Sequence, residues 1–367
     1  MKVEMILPTL AAAGMEVMVA RTAAKLARRG HDVGVACIER GGPLVADLVS
    51  SGVRVSELAA FGLIGGDWLA RIRRHLATVA PDVLHVHSGG WLKGVVAGRS
   101  ARVPCVLYTA HGFVDPEPWR ERVLNRLAVP LTDHVVAVSE HLGRHLSGTG
   151  VPRAKLSVIA NGIDLDQFRP MRVNGVGAGE IRRRLGISDQ TLLVGTVARL
   201  VPIKNQAVLI DAIAEARQQG ADCAAVLIGE GPLKDDLQAQ AAQRGVGDHV
   251  HFWGLEANVA RLYPELDVFV LTSNLEGTSI SLMEAMACGV CPLVTAVGGN
   301  PAVVGDAGVL VEPKRPDLMA AAIAALSGNA ARRRALGIAA RSRVESQFSD
   351  EAMIAAYERL YEMRRRG

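Results

Sequence analysis

NLEGTSISLMEAMACGV, residues 274–290, is the stretch from which the rest of the chain is read. It follows an apolar run, Asp267-Val-Phe-Val-Leu271, that has the character of a buried strand. Asn274, Glu276 and Gly277 then break the run as a loop. Ile280, Met283, Met286 and Ala287 recur at helical spacing, and Gly289 supplies a stop. A strand entering a helix through a Gly/Ser/Thr loop leaves backbone N–H groups unpaired, here around Gly277, Thr278, Ser279 and Ile280. With the positive end of the helix dipole, such amides form a site for phosphate. Glu276 and Glu284 bracket the turn, and each carboxylate can accept two hydroxyl hydrogen bonds. Placed around a phosphate site, the pair suits the ribose and hexose of a sugar nucleotide. Plainer readings stand beside this one. Ser281-x-x-Glu284 also fits a capping box, and Glu276 alone fits a solvated loop carboxylate.

A chain of 367 residues exceeds one ordinary core, which points to two domains. Hydrophobic residues make up 49%, charged residues 21% and aromatics 4%, a globular composition without a disorder signature. No apolar run reaches the roughly 18–20 residues that cross a bilayer. The opening MKVEMILPTL is interrupted too soon for a signal peptide and reads as a strand. A cytoplasmic location is expected. Five scattered cysteines fit a reducing compartment. Cys288-x-x-Cys291 matches half of a redox or zinc motif, but no second pair stands nearby, so a structural role is expected. The net charge of +4 gathers in arginine clusters at 71–74, 182–184, 332–334 and 364–366. They read as solvated helix faces that could also touch anionic lipid or substrate. Without interleaved aromatics, nucleic acid is not expected as a partner.

Outward from the opening stretch the chain alternates strands and helices. Strands are expected at 3–7, 32–38, 53–55, 83–87, 106–109, 134–138 and 156–159, with helices at 15–29, 68–80, 118–128 and 140–147. Pro170 and glycines 175, 177 and 179 mark a linker. Strands resume at 192–197, 224–228, 250–252, 268–271, 292–295 and 309–311. Helices at 316–325, 331–347 and 350–366 close the chain. This is an α/β pattern of two Rossmann-like doubly wound domains with parallel sheets, whose ligands sit beyond the carboxyl ends of the strands. Two such domains facing one another would define a cleft.

Other residues fall at those carboxyl ends. Arg199 and Lys204 follow strand 192–197, where a planar fork and a point charge can neutralise a diphosphate. Gly229-Glu-Gly-Pro232 is a tight turn that could also lie near a base or ribose, and His251-Phe-Trp-Gly254 could bracket a nucleobase. Gly14 lets the chain approach a ligand before the first helix. His111, after strand 106–109, could orient a sugar or share a proton, or it could be structural. His85-x-His87 resembles a metal pair without a third ligand and is read as structural. Ser139 and Asn161-Gly-Ile-Asp164 look like a helix cap and a turn. No nucleophile elbow, Walker loop or full GxGxxG appears, which weighs against hydrolase, P-loop kinase and dehydrogenase chemistry.

Taken in order and spacing, Glu276-x7-Glu284, Arg199 with Lys204, His111-Gly112, Asn161-Gly-Ile-Asp164, Gly229-Glu-Gly-Pro232 and Gly298-Gly299 make the sequence resemble the retaining glycosyltransferases of family 4, of the GT-B fold. The resemblance covers essentially the whole chain. It implies that Arg199 and Lys204 bind the donor diphosphate and that Glu284 contacts the ribose. Glu276 and the amides after it would hold the donor sugar, with His111 beside the sugar ring. It implies an acceptor-binding domain over 1–168, a linker over 169–185 and a nucleotide-sugar domain over 186–349, with helix 350–367 packing back on the first domain. The chain departs from the family at Ala12-Ala13-Gly14, where paired glycines are common, at Ala302, where glutamate is usual, and at Cys291, which displaces a proline by one residue.

The expected activity is transfer of a hexose or N-acetylhexosamine, first of all from a UDP-sugar, without metal or other cofactor. The product would be a polysaccharide, glycolipid or related glycoconjugate. An epimerase or phosphorylase on the same fold, and a catalytically idle binding member, are the alternatives. The acceptor is a sugar, a lipid-linked sugar or a small molecule such as an aminocyclitol, met by loops 59–68 and 112–119. Phe61, Leu63, Ile64 and Trp68 beside Arg71–Arg74 allow a peripheral membrane contact on the cytoplasmic face, although an ordinary amphipathic helix explains them as well.

Overall fold

The computed structural model describes residues 1–11, 14–62, 66–112, 119–170 and 179–366. Ala12, Ala13, residues 63–65, most of the 112–119 loop and residues 171–178 of the expected linker lie outside the described residues. The chain divides into two compact units, Met1–Asn161 with Asp350–Gly367, and Gly162–Ser349.

The first unit runs β1 (Lys2–Thr9), α1 (Gly14–Arg28), β2 (Asp32–Arg40), α2 (Val45–Ser50), β3 (Arg54–Glu57), α3 (Trp68–Val79) and β4 (Val83–His87). It continues through α4 (Trp91–Ser100), β5 (Cys105–Ala110), α5 (Trp119–Ala128), β6 (His134–Ala137), α6 (Glu140–Gly148) and β7 (Leu156–Val158). The strands pair in the order β3-β2-β1-β4-β5-β6-β7, every pair parallel. Strands sealed on both faces need no alternation, and β1, β4 and β5 are largely buried, with Glu4, His85, His87 and Thr109 as their buried polar residues.

The second unit runs α7 (Glu180–Leu185), β8 (Leu192–Val197), α8 (Gln206–Gln218), β9 (Cys223–Ile228), α9 (Lys234–Gln243), β10 (Val250–Gly254) and β11 (Val268–Leu271). Then come α10 (Ile280–Ala287), β12 (Cys291–Thr295), α11 (Asn300–Val304), β13 (Val309–Val311), α12 (Pro316–Ser327) and α13 (Ala330–Gln347). Its sheet has the order β10-β9-β8-β11-β12-β13, again parallel throughout. Strand order reverses between β1 and β4 in one sheet and between β8 and β11 in the other. Chains leave such a pair of strands in opposite directions, so a crevice opens at their carboxyl ends.

The last helix, α14 (Asp350–Arg366), returns to the first unit. Lys25 of α1 meets Asp350 at 2.5 Å, Arg29 meets Glu358 at 2.6 Å and also Glu351, and buried Tyr361 reaches His85. Two boundaries differ from the expectation. Residues 162–168 belong to the second unit, because Ile163 N–H donates to Phe348 O at 2.8 Å and Phe168 is fully buried. Residues 180–185 are a helix, not linker: the Glu265 carboxylate accepts from the Glu180 and Ile181 amides at 3.0 and 2.7 Å, and Arg182 bonds Asp267 at 2.7 Å.

Candidate active site

In the second unit the loops after β8 and β11 meet at the switch of strand order. The β8 loop is held by backbone turns, Lys204 N–H to Val201 O at 3.0 Å, and by the Gln206 amide donating to Arg199 O at 2.9 Å. Asn205 takes a left-handed conformation, φ 48°, and turns the chain into α8. Two further bonds tie the loops together: Asn274 N–H donates to Ile203 O at 2.9 Å, and the Asn205 amide donates to Asn274 Oδ1 at 3.2 Å. Lys204 Nζ is thereby brought 2.6 Å from Glu276 Oε1. Ser273 Oγ donates to that same oxygen at 2.6 Å. Glu276 is buried, so this cation and hydroxyl replace the water it would otherwise keep. Arg199 is exposed, and its guanidinium forms no ion pair among the described residues.

Two glycines shape the backbone that follows. Gly298 has φ 53°, and a Cβ there would stand 1.7 Å from Glu276 O. Gly299 donates its N–H to Gly277 O at 2.9 Å, and a Cβ on it would stand 2.2 Å from that oxygen. The pair forms the floor on which the 276–277 peptides lie. Gly277, Thr278 and Ser279 then lead into α10.

Ser279, not Ser281, is the N-cap of α10: its Oγ accepts from Leu282 N–H. The capping box expected from Ser281-x-x-Glu284 is therefore absent, because the helix starts two residues earlier. Glu284 is buried, and its Oε2 accepts the hydroxyl of fully buried Tyr263 at 2.9 Å. Gly229 has φ 139°, and a Cβ there would stand 2.1 Å from Ala198 O. Its place is explained by packing against the Arg199 loop; no ligand is needed to account for it.

In the first unit, Gly14 opens α1 and is exposed. His111 follows β5. Its ring Nε2 lies 3.0 Å from His87 Nδ1, and its backbone N–H donates to Ser88 Oγ at 2.9 Å. His85 is engaged at both nitrogens, with Tyr361 OH and Thr109 Oγ1, each at 2.7 Å, which removes it as a metal ligand in this arrangement. Burial pushes His85 down to about 3, His111 to about 4 and His87 well below the usual imidazole range. All five cysteines are free and buried, and burial raises the Cys288 and Cys291 thiols to about 12, as a structural role requires.

Ser273 and Tyr263 are partners that the sequence does not single out, and it does not link His87, read as structural, to His111. Ser273 stands three residues before Glu276 and could have been found as a local donor. Tyr263 and His87 carry no local signal, since only the tertiary fold brings them to their partners.

Two Rossmann-like parallel α/β units, the second with a cation–carboxylate pair at its strand switch, define the GT-B class. Residues 178–343 match the family described as glycosyl transferases group 1, and residues 12–167 match glycosyltransferase family 4. A D-inositol 3-phosphate glycosyltransferase of Actinosynnema mirum is 30% identical over 372 residues, covering 87% of this chain and 87% of the relative. The chain belongs to this family of glycosyltransferases. With other relatives it spans about half their length. One of these is a GDP-mannose-dependent α-(1-6)-phosphatidylinositol monomannoside mannosyltransferase of Mycolicibacterium smegmatis, 32% identical over 220 residues, 57% of this chain and 56% of that one. HepE of Anabaena, solved in complex with UDP, superposes over 99% of this chain and 100% of its own with a TM-score of 0.87 at 22% identity, a likeness of fold.

Proposed function

We propose that the protein transfers a hexosyl or N-acetylhexosaminyl unit from a nucleoside diphosphate sugar to an acceptor hydroxyl, with retention at the anomeric carbon. The observation that carries the reading is the Lys204–Glu276 pair at the β8/β11 switch, on the same loop as the unpaired Arg199 and next to the amides that open α10. Arg199 and Lys204 take the diphosphate, with the N–H groups of 277–280. Glu276 receives sugar hydroxyls and Glu284 the ribose. His111 is assigned to orient the sugar, and Gly14 to admit the donor close to the backbone.

In the reaction the bond from the anomeric carbon to the diphosphate oxygen breaks, and the glycosidic bond to the acceptor oxygen forms on the same face. The acceptor proton passes to the departing phosphate oxygen. Two cations on one loop stabilise the charge that develops there, which is the ground for a metal-independent reaction. UDP is the first nucleotide to test, because the HepE structure holds it, and GDP the second, because a relative uses GDP-mannose. The product is a polysaccharide, glycolipid or related glycoconjugate.

A thermal-shift panel of UDP, GDP, ADP and their sugar conjugates, with and without EDTA, tests the reading. A ligand at about a hundred times its Kd stabilises by roughly 2.7 kcal/mol, which is readily measured. A shift with one nucleotide that survives EDTA supports it. Silence with every nucleotide leaves the fold and removes the function.

A further inference from the structure

The first unit has two helices rich in both arginine and apolar residues, and they treat their apolar residues in opposite ways. In α3, Ile72, Leu76 and Val79 are buried, and Trp68 and Leu69 pack against the same core. Its arginines point outward. This is an ordinary amphipathic helix: of the apolar residues considered for a membrane contact beside Arg71–Arg74, Trp68 packs on the core, Phe61 is exposed, and Leu63 and Ile64 lie outside the described residues. In α5 the order is reversed. Trp119, Val123 and Leu127, one turn apart along a single stripe, are 67, 47 and 57% exposed, while Leu124 and Asn125 are half-buried and Ala128 is buried. Exposed apolar residues scattered singly need no explanation, but three in register on one helix do.

The charge around the stripe narrows what can cover it. Arg120, Arg122 and Arg126 are exposed and form no ion pair among the described residues, and the Arg120 guanidinium lies 5.5 Å from the Trp119 ring centre. Helix α4 packs between α3 and α5, so the three helices lie side by side over one face of the sheet. Their sequences hold three arginines, then a lysine and an arginine, then three more arginines, against a single acidic residue, Glu121. A second copy of the chain fits poorly, because a two-fold contact would set these arginines against their own images. The stripe, three side chains on a helix about 15 Å long, is also small for a stable protein interface. An apolar ridge with a tryptophan at one end and arginines along its flanks matches the interface of an anionic bilayer.

We propose that α5 is a membrane-docking helix, which seats Trp119, Val123 and Leu127 in the acyl boundary of an anionic phospholipid surface while its arginines meet the headgroups. The inference goes beyond the transfer reading and stands without it, since its test needs no substrate.

Flotation with vesicles of phosphatidylglycerol mixed with phosphatidylcholine, against phosphatidylcholine alone, provides the test. The chain is expected to float with the anionic vesicles only, and less as salt is raised. W119S/V123S/L127S and R120Q/R122Q/R126Q should each lower the partition roughly tenfold or more, with unfolding temperatures unchanged because all six side chains are exposed. Tryptophan emission should shift to the blue on the anionic vesicles, and W119F should abolish that shift. Absence of wild-type binding, equal binding to both lipids, or triple variants that bind like the wild type would overturn the proposal. Concentration-dependent dimerisation lost in W119S/V123S/L127S would assign the stripe to a second copy and overturn it equally.

Discussion

Lys204 Nζ and Glu276 Oε1 stand 2.6 Å apart at the junction of the β8 and β11 loops, and Ser273 donates to the same oxygen. The carboxylate is thus held from two sides before any ligand arrives. A donor diphosphate would add its own charge to Lys204, drawing the ammonium towards phosphate while Ser273 keeps Glu276 in place. Hydrogen bonds to charged groups contribute about 1.5–3 kcal/mol. Lys204→Ala is therefore expected to weaken nucleotide binding roughly 10- to 100-fold. Because Ser273 remains, the fold should survive with a modest fall in Tm. Calorimetric titration with the nucleotide that gives the thermal shift is the check, and unchanged affinity would place the diphosphate elsewhere.

Glu284 is tied to Tyr263, whose ring packs among Phe168 and Phe269 with centroids 6.0 and 5.9 Å away. Glu284→Ala would remove the acceptor that this buried hydroxyl finds on Glu284, costing about 1–3 kcal/mol of stability. It would therefore confuse a loss of binding with a loss of fold. Glu284→Gln keeps an acceptor for Tyr263 and removes the charge. It is expected to keep the Tm close to wild type and to weaken nucleotide binding roughly tenfold, one charged hydrogen bond to ribose. Full stability with full affinity would remove Glu284 from the nucleotide site and leave it a structural role, which includes its bond to Tyr263.

Gly298 offers a sharper test of the backbone. A methyl group at φ 53° meets both left-handed strain and the Glu276 carbonyl, 1.7 Å from where the Cβ would sit. Neither the carbonyl nor its peptide can move without displacing Glu276 from Lys204. Gly298→Ala should destabilise by on the order of 2–4 kcal/mol and abolish nucleotide binding at the same time. Urea unfolding beside the thermal-shift panel measures both. A stable variant that still binds would mean that this floor is not required.

The parallel sheets were legible because every central strand is a short apolar run between helix signals, and most strand limits agree to within two residues. Helix α4 was not. Gly94 and Gly98 weaken its helical signal, yet they are what allows it to lie on the sheet: a Cβ at either would come within 2.6 Å of Val86 or Leu84. Short α2 gave too few turns to show a period. At the site, the order of Arg199, Lys204, Glu276 and Glu284 was readable from strand ends and spacing, whereas the partners that fix them were not. Tyr263 reaches Glu284 from a turn 21 residues away, and His87 reaches His111 from the neighbouring strand. No local pattern encodes a contact that only strand order creates.

The buried histidines predict how the first unit responds to acid. His85 is held down to about 3 and His111 to about 4, with His87 well below the ordinary range, all chiefly through burial. In an unfolded chain each would titrate near 6.5. Below that pH the unfolded state takes up protons that the folded state refuses, so the folded state loses ground as pH falls. The contribution of each histidine is complete above pH 6.5 and disappears as the pH drops to its folded value. Each is expected to cost about 1.4 kcal/mol per pH unit inside that window. Between pH 6.5 and 5 most carboxylates stay ionised, which leaves the histidines as the main source of the slope. His111→Gln removes one titrating group at the edge of the cluster, and its stability should fall with pH more gently by that amount. Urea unfolding at pH 7, 6 and 5, followed by tryptophan emission to which Trp68, Trp91 and Trp119 contribute from this unit, compares the two slopes. Parallel lines would show that His111 charges as readily in the folded protein as in the unfolded chain, and that its ring is not shielded as its contact with His87 implies.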